Sequence, residues 1–339
     1  MMNEKGNDRR NFLKKSSWLL AGLGLPISNR TSGAYESKES GLSIPEEFPD
    51  NPLVLFDNFH VGNRRSYSMR ARMASAEAAG FNGFEIVMVD PSSDDWKEAT
   101  DLMSGSNFSV WGHHRTITSV VDENADNLNK DIEKIEEVVE ASAATPIEYI
   151  TLSLSGNGEL RGPTIQESGS AKAEERHWIR AYKIITAFDA VCKKYNMRGS
   201  LYPHTHWICD TPQSQEKILE GVNATFIGPA FCSHHWYANK NSIELDDALK
   251  LDIMKNLNYV VMTNGKFVGN GFPAVRFHEG EIDMAWFLAK MYEFGYSGPI
   301  SSQGWGIGGD PFDSCKAFVD GINRLKERFQ KHPELWPLR

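Results

Sequence analysis

"EERHWIRAYKIITAFDAVCKKYN" (174–196), followed almost at once by "RGSLYPHTHWICD" (198–210), is the stretch on which the fold turns. In its first part Trp178, Ala181, Ile185, Phe188 and Cys192 recur at three- and four-residue intervals, the spacing of one helical face. Its second part opens on "RGSLYP", a run too short for a helix and too apolar for a surface turn, so it predicts a short buried strand. Alternate residues of a strand point the same way, so His204 and His206 face one side at its end.

The same alternation extends in both directions. Short apolar runs occur at "LVLFD" (53–57), "GFEIVMV" (83–89), "FSVWG" (108–112), "IEYITLSL" (147–154), "ATFIGPAF" (224–231), "NYVVMT" (258–263) and "GPISSQ" (298–303). Between them lie segments of helical spacing, among them "MRARMASAEAAG" (69–80), "NADNLNKDIEKIEEVVEASA" (124–143), "IELDDALKLDIMKN" (243–256) and "DMAWFLAKMYEFG" (283–295), with a closing helix over 312–329. Eight strand-then-helix units predict a (β/α)8 TIM barrel of α/β class, formed as a single domain over 51–330. A doubly wound open sheet would place a glycine-rich phosphate turn after its first strand. The glycine-rich "GWGIGGD" (304–310) instead follows the last one, so no nucleotide cofactor is expected.

A TIM barrel gathers its chemistry at the C-terminal ends of its strands. Those ends carry Asp57 and Asn58, Glu85, His113 and His114, 155–159, 202–206, 232–236, 263–266 and 303–305. Six of the ten histidines fall in this set, which favours a ligand or catalytic rim over isolated core histidines. His234 and His235 are adjacent, so on a regular strand one would line the site and the other pack outward. Imidazole is both the commonest transition-metal ligand and the group best suited to moving a proton near neutral pH. Asp57, Glu85, Glu159, Glu279 and Glu281 are the available carboxylates. Trp111, Tyr202, Trp207, Trp236 and Trp305 offer faces for a sugar ring, or simply core. The loop "SGNGELRG" (155–162) is either an anion or hydroxyl cradle or an ordinary turn.

Composition narrows the classes. Charged residues at 24% and hydrophobic residues at 40% describe a globular chain, and a formal charge of −9 argues against a nucleic-acid partner. Four cysteines are spaced too irregularly for a zinc motif or a disulfide framework. Residues 1–30 contain Arg9-Arg10-Asn11-Phe12-Leu13-Lys14 and a weakly apolar run from Trp18 to Ile27, the pattern of a twin-arginine export signal too short to span a bilayer. A polar linker over 31–50 and a tail over 331–339 flank the barrel. The expected location is periplasmic or cell-envelope, with no stable membrane span in the mature protein.

"GFNGFEIVMVD" (80–90), and above all "HEGEIDMAWFLAKMYEFGYSGPISSQ" (278–303), resemble the xylose-isomerase-like TIM barrels, the sugar phosphate isomerases/epimerases. "LYPHTHW", "CSHHW", "MTNG" and "SSQGWGIGGD" are similar to a subgroup with Tyr-Pro-His, His-Trp, Asn-Gly and Gln-Gly strand ends. In the family's metal-dependent epimerases the ligands are Glu, Asp, His and Glu, and the resemblance places Tyr202, Cys232, Asn264 and Gln303 at those positions. What matches is the histidine after each of the first two, His204 and His235; Arg276 falls where some epimerases hold a substrate-binding arginine. Two arrangements follow from the resemblance. Either His204 and His235 act as acid and base without a metal, or one divalent ion (Mn, Mg, Co or Zn) is held by His204, His206, His235, Asn264 and Gln303. The expected substrate is a small carbohydrate, unphosphorylated if the chain is exported. The expected chemistry is proton transfer beside its carbonyl, as enolisation or as β-elimination of a keto-glycoside, with His204, His235 and Glu85 as catalytic groups. Glu159, Trp236, Lys266, Arg276 and Trp305 are the expected substrate contacts. The alternative is a non-catalytic sugar-binding barrel.

Overall fold

The structure is a computed structural model that describes residues 48–58, 67–239 and 243–337. The expected signal segment, and all of the expected linker before residue 48, lie outside them. Eight parallel strands close into a barrel in sequence order: β1 (Leu53–Phe56), β2 (Gly83–Val87), β3 (Val110–Ile117), β4 (Tyr149–Leu154), β5 (Arg198–Leu201), β6 (Ile227–Cys232), β7 (Tyr259–Val261) and β8 (Ile300–Gln303), with β8 pairing back onto β1. Each apolar run named from the sequence contributes one of them. Among the described residues no helix is long and apolar enough to cross a membrane.

Local chemistry sets the helix boundaries. Helix α1 (Met69–Ala79) starts where the Ser68 side chain accepts from the Ala71 amide and stops at Gly80, whose φ of 101° is left-handed. Helices α2 (Asp94–Met103), α3 (Ala125–Ala143), α4 (Glu175–Tyr195) and α5 (Pro212–Val222) follow β2 to β5. Two segments depart from the expected pattern. After β6 the chain turns directly into a short helix α6 (Ser233–Ala238), so His234 and His235 lie on a helical turn and not on a strand. Successive residues there are rotated by about 100° rather than alternating, and both imidazoles are buried. The segment 243–256 is not one helix. It breaks into α7 (Leu245–Ala248) and a 3-10 turn (Asp252–Asn256), because Leu251 is extended at ψ 140°. Helices α8 (Met284–Phe294) and α9 (Pro311–Lys331) complete the ring. Past α9, Trp336 stacks on Phe48 at 6.0 Å and meets Phe329 edge-on at 4.8 Å, so the tail is anchored against the barrel.

The period of two divides the strands into two cores. Outward residues such as Phe84, Ile86, Ile150, Leu152 and Phe231 pack under the helices in the large core. Inward residues form a small aromatic cluster of Phe56, Tyr149, Tyr202, Ala230, Cys232, Tyr259 and Val261. Space for the Tyr149 ring comes from a glycine beside it on the neighbouring strand: a Cβ at Gly112 would overlap that ring. Gly112→Ala is therefore expected to destabilise the fold by about 1–3 kcal/mol in denaturant melts, the usual range for overpacking.

Candidate active site

At the C-terminal mouth of the barrel lies a cavity of about 780 Å³. Its floor is aromatic. Phe56 at the end of β1 stacks on Tyr202 just past β5 (5.5 Å between ring centres), and the His114 ring from β3 sits 4.8 Å from Phe56 and 5.3 Å from Tyr202. One wall is His204, stacked at 4.0 Å and 18° on Trp207. Trp305, 55% exposed, stands at the rim after β8. The polar lining is organised by β1 and β8. The Arg72 guanidinium from α1 forks onto both oxygens of Asp57 at 2.8 Å and donates to the Tyr67 carbonyl. Asn58 donates to Gln303 Oε1 at 3.2 Å and accepts from the Gly304 amide at 2.8 Å. Such a mixture of stacking faces and a few fixed polar groups is characteristic of small-molecule sites.

The two imidazoles on this cavity are neutral. Burial pushes His114 down to about 3, with the neighbouring His113 adding to the shift, and burial likewise pushes His204 down to about 4. His204 Nδ1 lies 2.7 Å from the Thr205 carbonyl, which can only accept, so the ring proton is on Nδ1 and Nε2 is left as a base. His235 packs behind His204, with ring centres 4.3 Å apart, and does not line the cavity. Its own basicity is lowered by burial and by His204 and His234.

The remaining expected residues sort differently. His113 points outward and bridges the Ser142 hydroxyl and the Val89 carbonyl, a packing role. His206 sits in a turn at φ 69°, off the cavity lining, so the strand that would have aligned it with His204 has already ended. Glu85 is not at the rim. It lies mid-strand in the barrel interior, fully buried, accepting from the Thr151 and Tyr259 hydroxyls. Glu159 is held outside the mouth by Arg176 and by His177 at 3.0 Å. Trp236 packs into the helix layer against Phe231, Trp286 and Phe287 while its indole donates to the Ile243 carbonyl. Lys266 is exposed away from the cavity, and Arg276 borders a separate pocket of about 20 Å³. Most of the 155–162 loop amides are bonded locally. Asn157, Glu159, Leu160, Arg161 and Gly162 amides bond within the loop or to Ser168. In the sequence Arg72 carries no assigned role, His114 stands only at a strand end, and Trp207 offers only a stacking face or core. His114 and Trp207 stood at or beside strand ends, whereas nothing in the pattern of α1 marked Arg72.

Two of the five expected metal ligands, Asn264 and Gln303, are engaged elsewhere. Asn264 is saturated by backbone: its Nδ2 donates to the Phe277 and Ile282 carbonyls, and its Oδ1 accepts from the Gly265 and Ile282 amides. That correction has a simple cause, since the turn after β7 needs those four bonds to hold the 264–265 and 274–275 ribbon. Gln303 is engaged by Asn58, and Tyr202 and Cys232 are turned to each other at 3.8 Å. Among the described residues no three His, Cys, Asp or Glu side chains are arranged to hold an ion.

A closed eight-stranded parallel barrel ringed by helices, with a large cavity at the strand C-termini, defines a TIM barrel. The family model of the xylose isomerase-like TIM barrel matches residues 73–328, and the chain belongs to that family. Solved structures of similar fold include the IOLI protein with a binding zinc atom (14% identity, TM-score 0.64, covering 82% of this chain and 99% of that one). Another is the 3-keto-D-glucoside 4-epimerase YcjR from E. coli (14%, 0.61, 82% and 98%). A third is the D-allulose 3-epimerase from Methylomonas sp. in complex with D-allulose (16%, 0.61, 82% and 98%). At such identities the likeness carries the fold. A search of curated protein sequences returns no match.

Glu85 is expected to make stability depend on pH. Burial raises its carboxyl from 4.5 to about 8, against the opposing hydrogen bonds of Thr151 and Tyr259. Between those values the folded state binds the extra proton, so this contribution falls as pH rises from 4.5 to about 8. Glu85→Gln is expected to flatten that decline in chemical denaturation measured across the window; an unchanged slope would assign it to another group.

Proposed function

We propose that this protein is a carbohydrate-active enzyme that moves a proton beside a sugar carbonyl. The observation that carries the reading is the pair of neutral imidazoles, His114 and His204, on one aromatic-walled cavity at the catalytic end of the barrel. His204 Nε2 is the base that removes the α-proton, its Nδ1–H fixed by the Thr205 carbonyl and its ring backed by Trp207 and His235. The electrons of that C–H bond become the enolate, which the Asn58 and Gln303 amides and His114 are placed to receive. Return of the proton to a different face or carbon gives epimerisation or isomerisation. Where a glycosidic oxygen lies β to the carbonyl, expulsion of that oxygen with a proton gives elimination from a keto-glycoside. His235 acts in this scheme by holding His204, and Trp305 covers the ring at the rim.

An unphosphorylated substrate is part of the proposal. Among the described residues lining the cavity Arg72 is the only Lys or Arg, and Asp57 neutralises it, while Asp95 and Glu98 add negative charge. The Arg9-Arg10 segment supports delivery outside the cytoplasm, where free glycosides are met. The second reading, a binding barrel without turnover, is supported by the neutral side chains at the family's carboxylate positions.

The test uses the purified chain on a panel of keto-sugars and keto-glycosides. His204→Ala is expected to lower kcat by about 10²–10⁴-fold with an unchanged circular dichroism spectrum, the range for loss of a general base. Near-native turnover in that variant would remove His204 from the mechanism, and saturable binding with no turnover on any member of the panel would establish the second reading. Elemental analysis is expected to find far less than one divalent ion per chain, and turnover is expected to survive chelation. A stoichiometric ion with chelator-sensitive turnover would replace the metal-free scheme by a histidine-bound one.

A further inference from the structure

One buried group remains outside this scheme yet is connected to it. His114 Nδ1 lies 2.8 Å from the Thr151 hydroxyl, and the same hydroxyl reaches Oε1 of Glu85 beneath the cavity floor. On its other side His114 Nε2 faces the Thr116 hydroxyl at 3.3 Å and the Ser153 hydroxyl at 3.4 Å, both of which line the cavity. We infer that Glu85 is a positioning residue whose charge, passed through the Thr151 hydroxyl, selects which ring nitrogen of His114 carries the proton.

The argument is one of counting protons. A threonine hydroxyl has a single hydrogen and cannot donate to Glu85 and to His114 together. When Glu85 is ionised it accepts that hydrogen, so Thr151 must accept from His114 Nδ1–H, and Nε2 offers a lone pair to the cavity. When Glu85 is protonated and donates to Thr151, the hydroxyl turns toward Nδ1, and the imidazole proton resides on Nε2, where it serves as an acid. The two states differ by one proton. Release of the Nε2 proton to a substrate oxygen, with Thr151 reprotonating Nδ1 and Glu85 reprotonating Thr151, moves the Glu85 proton to the cavity with every bond accounted for.

The surroundings leave Glu85 as the group that changes charge near neutral pH. The titratable groups facing it are Tyr149 from β4, Tyr202 past β5, Cys232 from β6, Tyr259 from β7 and His114 itself, while β1 and β8 present Phe56 and Ser301. Burial holds the three phenols well above their ordinary range, pushes Cys232 up to about 11, and keeps His114 neutral. Among the described residues no cation faces the carboxyl, so its charged form has only hydroxyl donors to stabilise it. The catalytic use of this relay rests on the enolising role of the cavity; the tautomer of His114 does not.

Ligand-free NMR of the full chain therefore tests it. Long-range ¹H–¹⁵N correlation of the histidine rings, with His114 assigned by its loss in His114→Gln, would be followed from about pH 6 to about pH 10. The expected result is conversion of His114 from the Nε2–H to the Nδ1–H form as pH rises through about 8, the titration of Glu85. Glu85→Gln and Thr151→Val are each expected to abolish the pH-dependent exchange, and Thr151→Ser to restore it. A single tautomer across the range in the native chain, or the same transition in Glu85→Gln, would overturn the relay. If Glu85→Gln fails to fold, the Val and Ser variants at 151 decide the matter. A tautomer switch in a chain that turns over no keto-sugar would leave the relay standing and remove the enzymatic role.

Discussion

The constraint on which the structure turns is the burial of one carboxyl inside a closed barrel. Eight parallel strands enclose a space that side chains must fill, and here they fill it with Tyr149, Tyr202, Tyr259 and Phe56 around Glu85. A carboxyl so placed must be neutral or well supplied with donors, since an isolated charge in such surroundings is costly. The phenol of Tyr259 and the hydroxyl of Thr151 supply the donors, and the raised carboxyl accounts for the rest. Tyrosine suits this position because its ring fills volume while its hydroxyl remains a partner. The barrel floor is thereby polar at one point, linked through Thr151 to His114.

That floor changes the meaning of the mouth. At the four positions where the resemblance expects carboxylates and a histidine to grip a metal, this chain has a phenol, a thiol and two amides. Tyr202 and Cys232 close on each other, Asn264 ties the turn after β7, and Gln303 pairs with Asn58. The result is a cavity floored by aromatic rings and edged by neutral donors, its charged groups being the paired Arg72 and Asp57 with Asp95 and Glu98. Neutral imidazoles suit enolisation because one nitrogen can accept a proton while the other is held by a fixed partner.

The six rim histidines illustrate how the same residue type serves different ends within a few ångströms. His113 and His114 are neighbours on β3 and face opposite ways, one to the helix layer and one to the cavity, as the strand period requires. His204 and His206 would have shared a face had the strand continued. Instead β5 stops at Leu201, and a turn carries His206 off the lining. His234 and His235 were expected on opposite sides of a strand, and a helical turn buries both.

The barrel itself was legible in the sequence. Eight apolar runs too short for helices, separated by longer segments with the 3.6-residue period, read as a (β/α)8 order. That order also located the catalytic end, and with it His114, His204, Trp207, Gln303 and Trp305. What only the tertiary structure decided was direction and partnership. Whether Asn264 faces a ligand or its own backbone, whether Glu85 stands at the rim or below it, and whether Arg72 reaches across to Asp57 all depend on where each strand ends and what the neighbouring strand presents at that height. For Arg72 and Asn264 the partner lies within 18 residues but only folding sets the approach, and for Glu85 and Tyr259 the two segments are 174 residues apart, so a linear pattern carries no record of these contacts.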